Sequence, residues 1–539
     1  MRSEETGGRI ARMSKTSDRD DAAFGAITAA RTIWGLIEER ARLTPSQPML
    51  VDERGRTLEF AGFKDKALRI AAGLHLMGIE RGMVVSWQLP TMIETVLLTA
   101  ALSRLGAVQN PILHLYRERE VGFALRETGA RAFFIKKRWR DTDYLAIATS
   151  AIGDHQPRPE ICFVDDVEEG DPSVLPPLED DSLQRDAPLR WIYYTSGSTQ
   201  DPKGVLHTDE TLIAGGLGLA AALEMSPDDV GSIAFPFAHI GGPDYLVTML
   251  SIGFPAVLLE SFSPREAIEV LKRHNVTMVG GSTAFYVAYL GEQRKQPGDP
   301  ILPRIRLMSG GGAPKPPEIH YEVMNEIGGR GVVHGYGMTE VPMIANGSPS
   351  DSDEQLANTD GKPIAGANVR IVTREGSPAE PGVEGEIRVK GPMVFKGYSD
   401  ADLNADAFDA DGFFRTGDLG RLRSDGHLVI TGRLKDVIVR KGENISATEI
   451  EAVLYTHPKI AEVAVVGLPD RTRGERVVAV VELVDGVQDL TLEELASYCR
   501  EAGLMTQKTP EQLELRTDWP RAGTGKIVKG ALRDEYSNL

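Results

Sequence analysis

The chain has 539 residues, more than one hydrophobic core organises, so two or more domains are expected. Its 41% hydrophobic and 26% charged content are those of an ordinary globular protein. A net charge of −18 makes a nucleic-acid backbone a poor partner, and any site for an anionic ligand must gather its cations locally.

Residues 1–30 are charged, lack an apolar core and read as a disordered leader, not a signal peptide. Cys162 and Cys499 are the only cysteines, which gives no disulfide framework and no zinc spacing and fits a reducing cytoplasm. From residue 31 apolar runs alternate with helical patterns, as βα units do. The pattern predicts a strand over 84–89 and a helix over 92–105. An apolar run at 189–194 leads into residues 193–205, YYTSGSTQDPKGV. There Gly197 lets the backbone turn its amides inward, while Thr195, Ser196, Ser198 and Thr199 add hydroxyls and Lys203 adds a cation. That is the composition of a phosphate loop, although the Walker spacing cannot be laid over it. The apolar stretch 212–225 is too short and glycine-broken to span a membrane, and no other run reaches that length.

Phe235-Pro-Phe-Ala-His-Ile-Gly-Gly242 follows, with His239 free to be either a ligand contact or a packed core histidine. Ser263-Pro-Arg-Glu266 is a capping-box pattern with proline at the first helical position, predicting a helix to His274. Runs at 276–279 and 306–308 read as buried strands, each leading into glycines. Phe285, Tyr286 and Tyr289 fit a ligand pocket or a helix core equally well. Ser309-Gly-Gly-Gly-Ala-Pro314 offers backbone without side chains, including Gly311 and Gly312, where a flat ligand could approach. His334-Gly-Tyr-Gly-Met-Thr-Glu340 ends the run Val332, Val333 with a ring, a flexible turn, a hydroxyl and a carboxylate. After Asn368 short alternating strands (369–372, 385–390 and 427–430) suggest a small β subdomain. Phe414-Arg-Thr-Gly-Asp418 places a carboxylate just after a tight turn, suited to the two hydroxyls of a ribose. Arg433 fits a ligand contact or a surface ion pair. A boundary is expected at Gly432-Arg433-Leu434-Lys435-Asp436, giving a large domain over 31–432 and a small one over 433–539. In the latter, Ser446-Ala-Thr-Glu449 and Thr491-Leu-Glu-Glu494 each open a helix, and strands are expected at 463–466 and 476–482. Pro520-Arg-Ala-Gly-Thr-Gly-Lys526 holds a lysine among small neighbours.

These motifs, in this order from about residue 30 to the C-terminus, resemble the adenylate-forming (ANL) superfamily, which comprises acyl-CoA synthetases, peptide-synthetase adenylation domains and luciferases. The resemblance implies an α/β fold: a large N-terminal domain of layered α/β sheets with a small β subdomain, then a small, mobile α+β C-terminal domain. It implies ATP and Mg²⁺, with the nucleotide held by Thr195, Ser196, Gly197, Ser198, Thr199, Lys203, Gly312, Ala313, Pro314, His334, Gly335, Tyr336, Gly337, Met338, Thr339, Asp418, Arg433 and Lys526. Within that set Tyr336 matches the residue that stacks on adenine, Thr339 a phosphate ligand, Glu340 the metal ligand and Asp418 the ribose ligand. Lys526 matches the C-terminal catalytic lysine, acting with Thr195, Lys203 and Glu340. His239 and Gly311 match acyl-pocket positions, Lys435 the hinge, and Gly442 the pantetheine tunnel for coenzyme A. One departure is Gln200, where the family usually carries glycine; its Cβ restricts the turn there.

A carboxylate becomes an electrophile when joined to AMP, and that step needs cations on the phosphates, a metal ligand and a grip on the nucleoside. Amino-acid-activating relatives carry an aspartate in the Phe235–Gly242 motif. Its absence here favours an uncharged, apolar acid (fatty, alicyclic or aryl). The expected reaction is transfer of that acid to coenzyme A with release of AMP and pyrophosphate. An acyl-AMP ligase loading a carrier protein and a catalytically silent nucleotide-binding homologue are the alternatives. The sequence leaves homo-oligomerisation open.

Overall fold

The computed structural model describes residues 27, 29–154, 157–179, 186–195, 202–441, 443–521 and 527–537. They cluster in two compact units. One comprises the described residues up to Thr195 with Pro202–Asn368 and Lys390–Ala405; the other comprises Val369–Val389 and the described residues from Asp406 onward.

The first unit is layered α/β, as expected. Its six-stranded sheet has the order Lys203–His207, Trp191–Thr195, Val108–Pro111, Val84–Gln88, Ala132–Ile135, Glu160–Phe163. All neighbours run parallel except the first pair. The predicted helix at 92–105 is Ile93–Leu105, and it stops at Gly106, whose φ of +67° is the left-handed cap that ends helices. The apolar stretch at 212–225 supplies the helix Asp209–Ala222. Among the described residues no helix is long and apolar enough to cross a membrane.

A second sheet of this unit runs Met278–Gly281, Leu307–Gly310, Val332–Met338, Val341–Asn346, Lys362–Pro363. The first three strands are parallel and the rest antiparallel. The two strands predicted to stop before their glycines in fact include them. Closeness is the reason: a Cβ on Gly310 would lie 1.6 Å from the Gly281 carbonyl oxygen, so only glycine allows the strand ends to converge. Behind them Tyr286 and Tyr289 are fully buried with Val279, Met308 and Val332, which makes these tyrosines helix core. The helix Pro264–Arg273 begins at proline as predicted, but Ser263 makes no side-chain cap. Its start is fixed by the proline φ and by the buried Ala267, Ile268 and Leu271, not by a capping box.

The second unit contains a four-stranded sheet, Asn368–Val372, Gly385–Lys390, Phe414–Leu422, Leu428–Arg433. After the 3₁₀ turn Leu434–Asp436 comes an α+β part. There Ile460–Asp470 pairs antiparallel with Gly474–Leu483, which pairs parallel with Gln512–Leu515. The centres of both strands, residues 463–468 and 477–481, read as apolar runs because both faces are covered there. Val463, Val465, Val477 and Ala479 face a core with Ile450 and Leu495; Ala464, Val466, Val478 and Val480 face another with Leu532 and Tyr536. The hydroxyls of Ser446 and Thr491 accept the backbone N–H of Glu449 and Glu494, so both predicted helix starts are capped.

Candidate active site

The phosphate-loop sequence is the connection of a β-hairpin. Trp191–Thr195 and Lys203–His207 pair antiparallel with Thr195 opposite Lys203 and Trp191 opposite His207. Ser196, Gly197, Ser198, Thr199 and Gln200 lie outside the described residues, as do Gly442 and Lys526. A short segment runs along the outer strand. The N–H of Lys396 donates to the Leu206 carbonyl (2.8 Å), that of Leu206 to Gly397 (3.0 Å) and that of Ser399 to Gly204 (2.8 Å). This brings the ring of Tyr398 under Lys203, whose Nζ is 5.0 Å from the ring centroid.

The motif at 334–340 forms a second hairpin. Met338 pairs with Val341, so the turn is Thr339-Glu340, and Gly335, Tyr336 and Gly337 belong to the strand. The flexible turn expected at those glycines is therefore absent. Their role is close approach: a Cβ on Gly337 would lie 2.2 Å from the Pro342 carbonyl oxygen. His334 and Tyr336 are buried, and burial pushes the His334 imidazole down to about 3, so it is neutral at pH 7.

Two residues that the sequence did not single out fasten the Thr339-Glu340 turn. His207 Nε2 lies 2.7 Å from the Thr339 carbonyl oxygen, and Nδ1 lies 2.8 Å from Thr211 Oγ1. Burial pushes this imidazole down to about 4. It is neutral at pH 7, and because a carbonyl only accepts, the proton is assigned to Nε2. Tyr398 donates its phenol proton to Glu340 Oε1 at 2.8 Å, and the Phe395 N–H donates to the Glu340 carbonyl at 2.9 Å. Burial, then the neighbouring Glu340, pushes the Tyr398 pKa up, so the phenol stays protonated and donating. Thr195, Lys203, Thr339 and Glu340 are thus gathered around one hairpin edge. No local pattern in the sequence announces His207 or Tyr398, whose partners are 132 and 58 positions away.

Beside Gly335 runs the segment Ser309–Pro314, where a Cβ on Gly311 would lie 2.4 Å from the Gly335 carbonyl oxygen. Gly312 follows with φ +79°, then Ala313 and Pro314, whose carbonyl accepts from Thr283 Oγ1 at 2.7 Å. His239 lies in the turn before the helix Gly241–Ile252. Its N–H donates to Pro236, and its Nδ1 faces the Gly241 N–H at 3.2 Å. Water reaches this ring, yet surrounding protein depresses its pKa, the combination expected of a residue lining a recess. One turn into that helix is Asp244, buried, with Oδ1 lacking a hydrogen-bond partner among the described residues. Desolvation pushes its carboxyl up to about 8. No motif in the sequence marks this residue.

In the second unit Asp418 and Arg433 are register partners on adjacent strands, and Arg433 Nε lies 2.8 Å from Asp418 Oδ1. Asp418 is buried within the strand Phe414–Leu422, not placed just after a tight turn. The backbone bends at Gly417, whose φ of +69° takes the place of the expected turn, and the pairing register slips between Leu419 and Gly420. Lys435 lies in the turn Leu434–Asp436, and burial, then Arg433, lowers its pKa. The ends of the stretch carrying Lys526 are pinned: Arg521 bridges Ile527, and the Val528 N–H donates to Pro520 at 2.7 Å.

Among the described residues no cluster of three or more His, Cys, Asp or Glu side chains could cage a metal. A single buried carboxylate beside a lysine-bearing phosphate loop is the donor set that suits Mg²⁺. That ion keeps its waters and takes one or two carboxylates together with substrate phosphates.

Residues 37–399 match the family described as AMP-binding enzyme, and residues 449–526 match the AMP-binding enzyme C-terminal domain. The chain is 32% identical to a medium-chain fatty-acid–CoA ligase of Escherichia coli (strain K12), over 92% of this chain and 89% of that protein. It is 32% identical to a salicyl-AMP ligase / salicyl-S-ArCP synthetase of Mycobacterium tuberculosis, over 94% and 90%. The structure of O-succinylbenzoate coenzyme A synthetase from Bacillus subtilis, in complex with ATP and magnesium ion, superposes with a TM-score of 0.79. That match is 28% identical and covers 94% of this chain and 99% of the other.

Proposed function

As the chain belongs to the AMP-binding enzyme family of adenylate-forming ligases, we propose that it joins an apolar carboxylic acid to AMP and passes the acyl group to coenzyme A. In the first half-reaction a carboxylate oxygen attacks the α-phosphorus of ATP, the α–β anhydride bond breaks, and pyrophosphate leaves. In the second, the thiol sulfur attacks the acyl carbon, AMP leaves, and the thiol proton is released.

The observation that carries this reading is the gathering of Thr195, Lys203, Thr339 and Glu340 around one hairpin edge. Cationic and hydroxyl donors for phosphate oxygens then stand beside one buried carboxylate, the pre-arranged electrostatics that such a transfer needs. Bound Mg²⁺ would neutralise phosphate charge, with Glu340 as its protein ligand. Residues 196–199, with Thr195, Lys203 and Thr339, hold the phosphates. Tyr336 stacks on adenine against the segment Gly312-Ala313-Pro314, with His334, Gly335, Gly337 and Met338 shaping that wall. Asp418 accepts from the ribose hydroxyls, with Arg433 orienting its carboxylate. Lys526 bridges carboxylate and phosphate oxygens during attack. Residues 433–539 then re-orient about Lys435, so that the Gly442 loop admits the pantetheine arm.

His239 and Gly311 bound the acyl end in this reading. A second reading, loading of a carrier protein, is favoured by the likeness to the salicyl-AMP ligase. Steady-state turnover across a panel of carboxylic acids, with and without coenzyme A, tests both. Expected is AMP with pyrophosphate, and acyl-CoA when coenzyme A is present. ADP as the stoichiometric product would overturn the adenylation reading. Acyl-AMP that coenzyme A never discharges would select the carrier-protein reading.

A further inference from the structure

We propose that Tyr398 is a positioning residue that sets Glu340 for the metal and Lys203 for the phosphates at the same time. This inference rests on the proposed reading of Glu340 as the metal's protein ligand.

Tyr398 touches both groups with different parts of one side chain. Its hydroxyl donates to Glu340 Oε1 at 2.8 Å, and its ring face lies 5.0 Å from Lys203 Nζ. The residue is itself held. Its N–H donates to Asn404 Oδ1 at 2.7 Å, its backbone bridges Val205, and its ring packs edge-on against Phe395 at 4.9 Å. The same short segment contacts the turn again through the Phe395 N–H on the Glu340 carbonyl. A shift of residues 395–399 would therefore move the carboxylate and the support beneath the lysine together.

The chemistry of a phenol suits this task better than that of a cation. An arginine or lysine on Oε1 would orient the carboxylate but would also neutralise it and compete with a divalent ion. A neutral O–H donor narrows the carboxylate's rotamers while leaving its full negative charge. The ring face attracts the Lys203 ammonium without spending any of its donors, so those remain directed at phosphate oxygens. Ordering both charges before the ligand arrives removes a cost that binding would otherwise bear.

The test is calorimetric ATP binding without acid or coenzyme A, so that no turnover occurs, repeated over a range of Mg²⁺ concentrations. Adenylate formation and thermal unfolding are followed in parallel. Glu340→Gln should abolish the Mg²⁺-dependent gain in ATP affinity. Tyr398→Phe, which keeps the ring, should raise the half-saturating Mg²⁺ concentration about tenfold, one rotamer-ordered contact's worth, while metal-free ATP affinity is unchanged. Tyr398→Leu should raise that concentration similarly and also weaken metal-free ATP binding. Asn404→Ala, which unties the Tyr398 backbone but spares its phenol, should shift the Mg²⁺ midpoint about threefold, and it decides the matter should Tyr398→Phe not fold. A Mg²⁺ midpoint unchanged in Tyr398→Phe while Glu340→Gln loses its metal response overturns the role of Tyr398 alone, even if the melting temperature falls. A metal response that survives Glu340→Gln overturns the reading of Glu340 and this inference with it.

Discussion

Asp244 and Lys526 lie at opposite extremes of accessibility to sequence reasoning. Nothing in the Phe235–Gly242 motif announces a buried carboxyl one helical turn later. Its burial is a property of packing, because Gly215 and Gly216 on a neighbouring helix leave the space it fills: a Cβ on Gly215 would lie 2.6 Å from Asp244 Oδ1. The folded pKa of about 8 lies above the ordinary value of 3.8, so between those limits the folded state binds more protons than the unfolded one. Stability from this group is therefore lost as pH rises through that window. His207 and His334 work in the opposite sense, since their folded values of about 4 and about 3 lie below the ordinary 6.5 and their contribution is lost as pH falls. A difference measurement separates them. The melting temperature of Asp244→Asn minus that of the wild type should grow from pH 5 to pH 8.5, with the variant the more stable at the upper end. A difference that does not vary with pH would mean that Asp244 is ionised throughout. Lys526, by contrast, was singled out by its motif. Lys526→Ala should slow adenylate formation by roughly 10²–10³-fold, the scale of one pre-organised electrostatic contact. Thioester formation from supplied acyl-adenylate should be nearly unchanged, and equal loss in both half-reactions would give the lysine another part.

Elements were legible where the pattern was one of burial. The strands near 84, 278 and 307 and the helix at 93 announced themselves as buried apolar runs, and the strand near 385 by its two-residue alternation of buried and more exposed positions. The strand Phe414–Leu422 did not, because glycines and charged residues interrupt it and its paired partners, rather than its own apolar content, hold it extended. The strand Val332–Met338 was misread for a related reason. Two glycines two apart look like a flexible turn, yet both lack room for a Cβ: the Pro342 carbonyl crowds Gly337 and the Asn346 side chain crowds Gly335. Gly337→Ala puts this to the test: overpacking against the Pro342 carbonyl should destabilise the fold by about 1–3 kcal/mol and displace the Thr339-Glu340 turn. Chemical denaturation would show the loss, and adenylate formation should fall more than the stability change alone explains. A fully active, fully stable Gly337→Ala would mean that the hairpin tolerates separation and that Glu340 is not held by it.

At the scale of the whole molecule, the fold class and the order of its parts were legible because motif order and core patterning agree. How the two proposed half-reactions would alternate was not, since it depends on relative orientation rather than on any residue's surroundings. The proposed hinge is the place to probe it. Lys435 lies in a 3₁₀ turn between Arg433 and the α+β part. Proline there fixes φ near −65° and pushes Leu434 out of its helical conformation. Lys435→Pro should keep ATP binding and adenylate formation but lose coenzyme A-dependent turnover, leaving acyl-AMP on the enzyme. Single-turnover quenching that follows acyl-AMP and acyl-CoA in one sample would reveal this, and wild-type acyl-CoA formation would remove Lys435 from the hinge.

The hairpin that opens the site also imposes a rule of parity. Lys203, Val205 and His207 share one face of their strand because side chains alternate with a period of two. The lysine over Tyr398 and the histidine on Thr339 are therefore set by one even number, their separation of four positions. A single residue inserted between them would turn one of the pair toward the opposite face, whereas two would restore the facing at the cost of reach. Length is a strict variable on the strand between these two residues. In the connecting loop, outside the ladder, length does not govern which face they present.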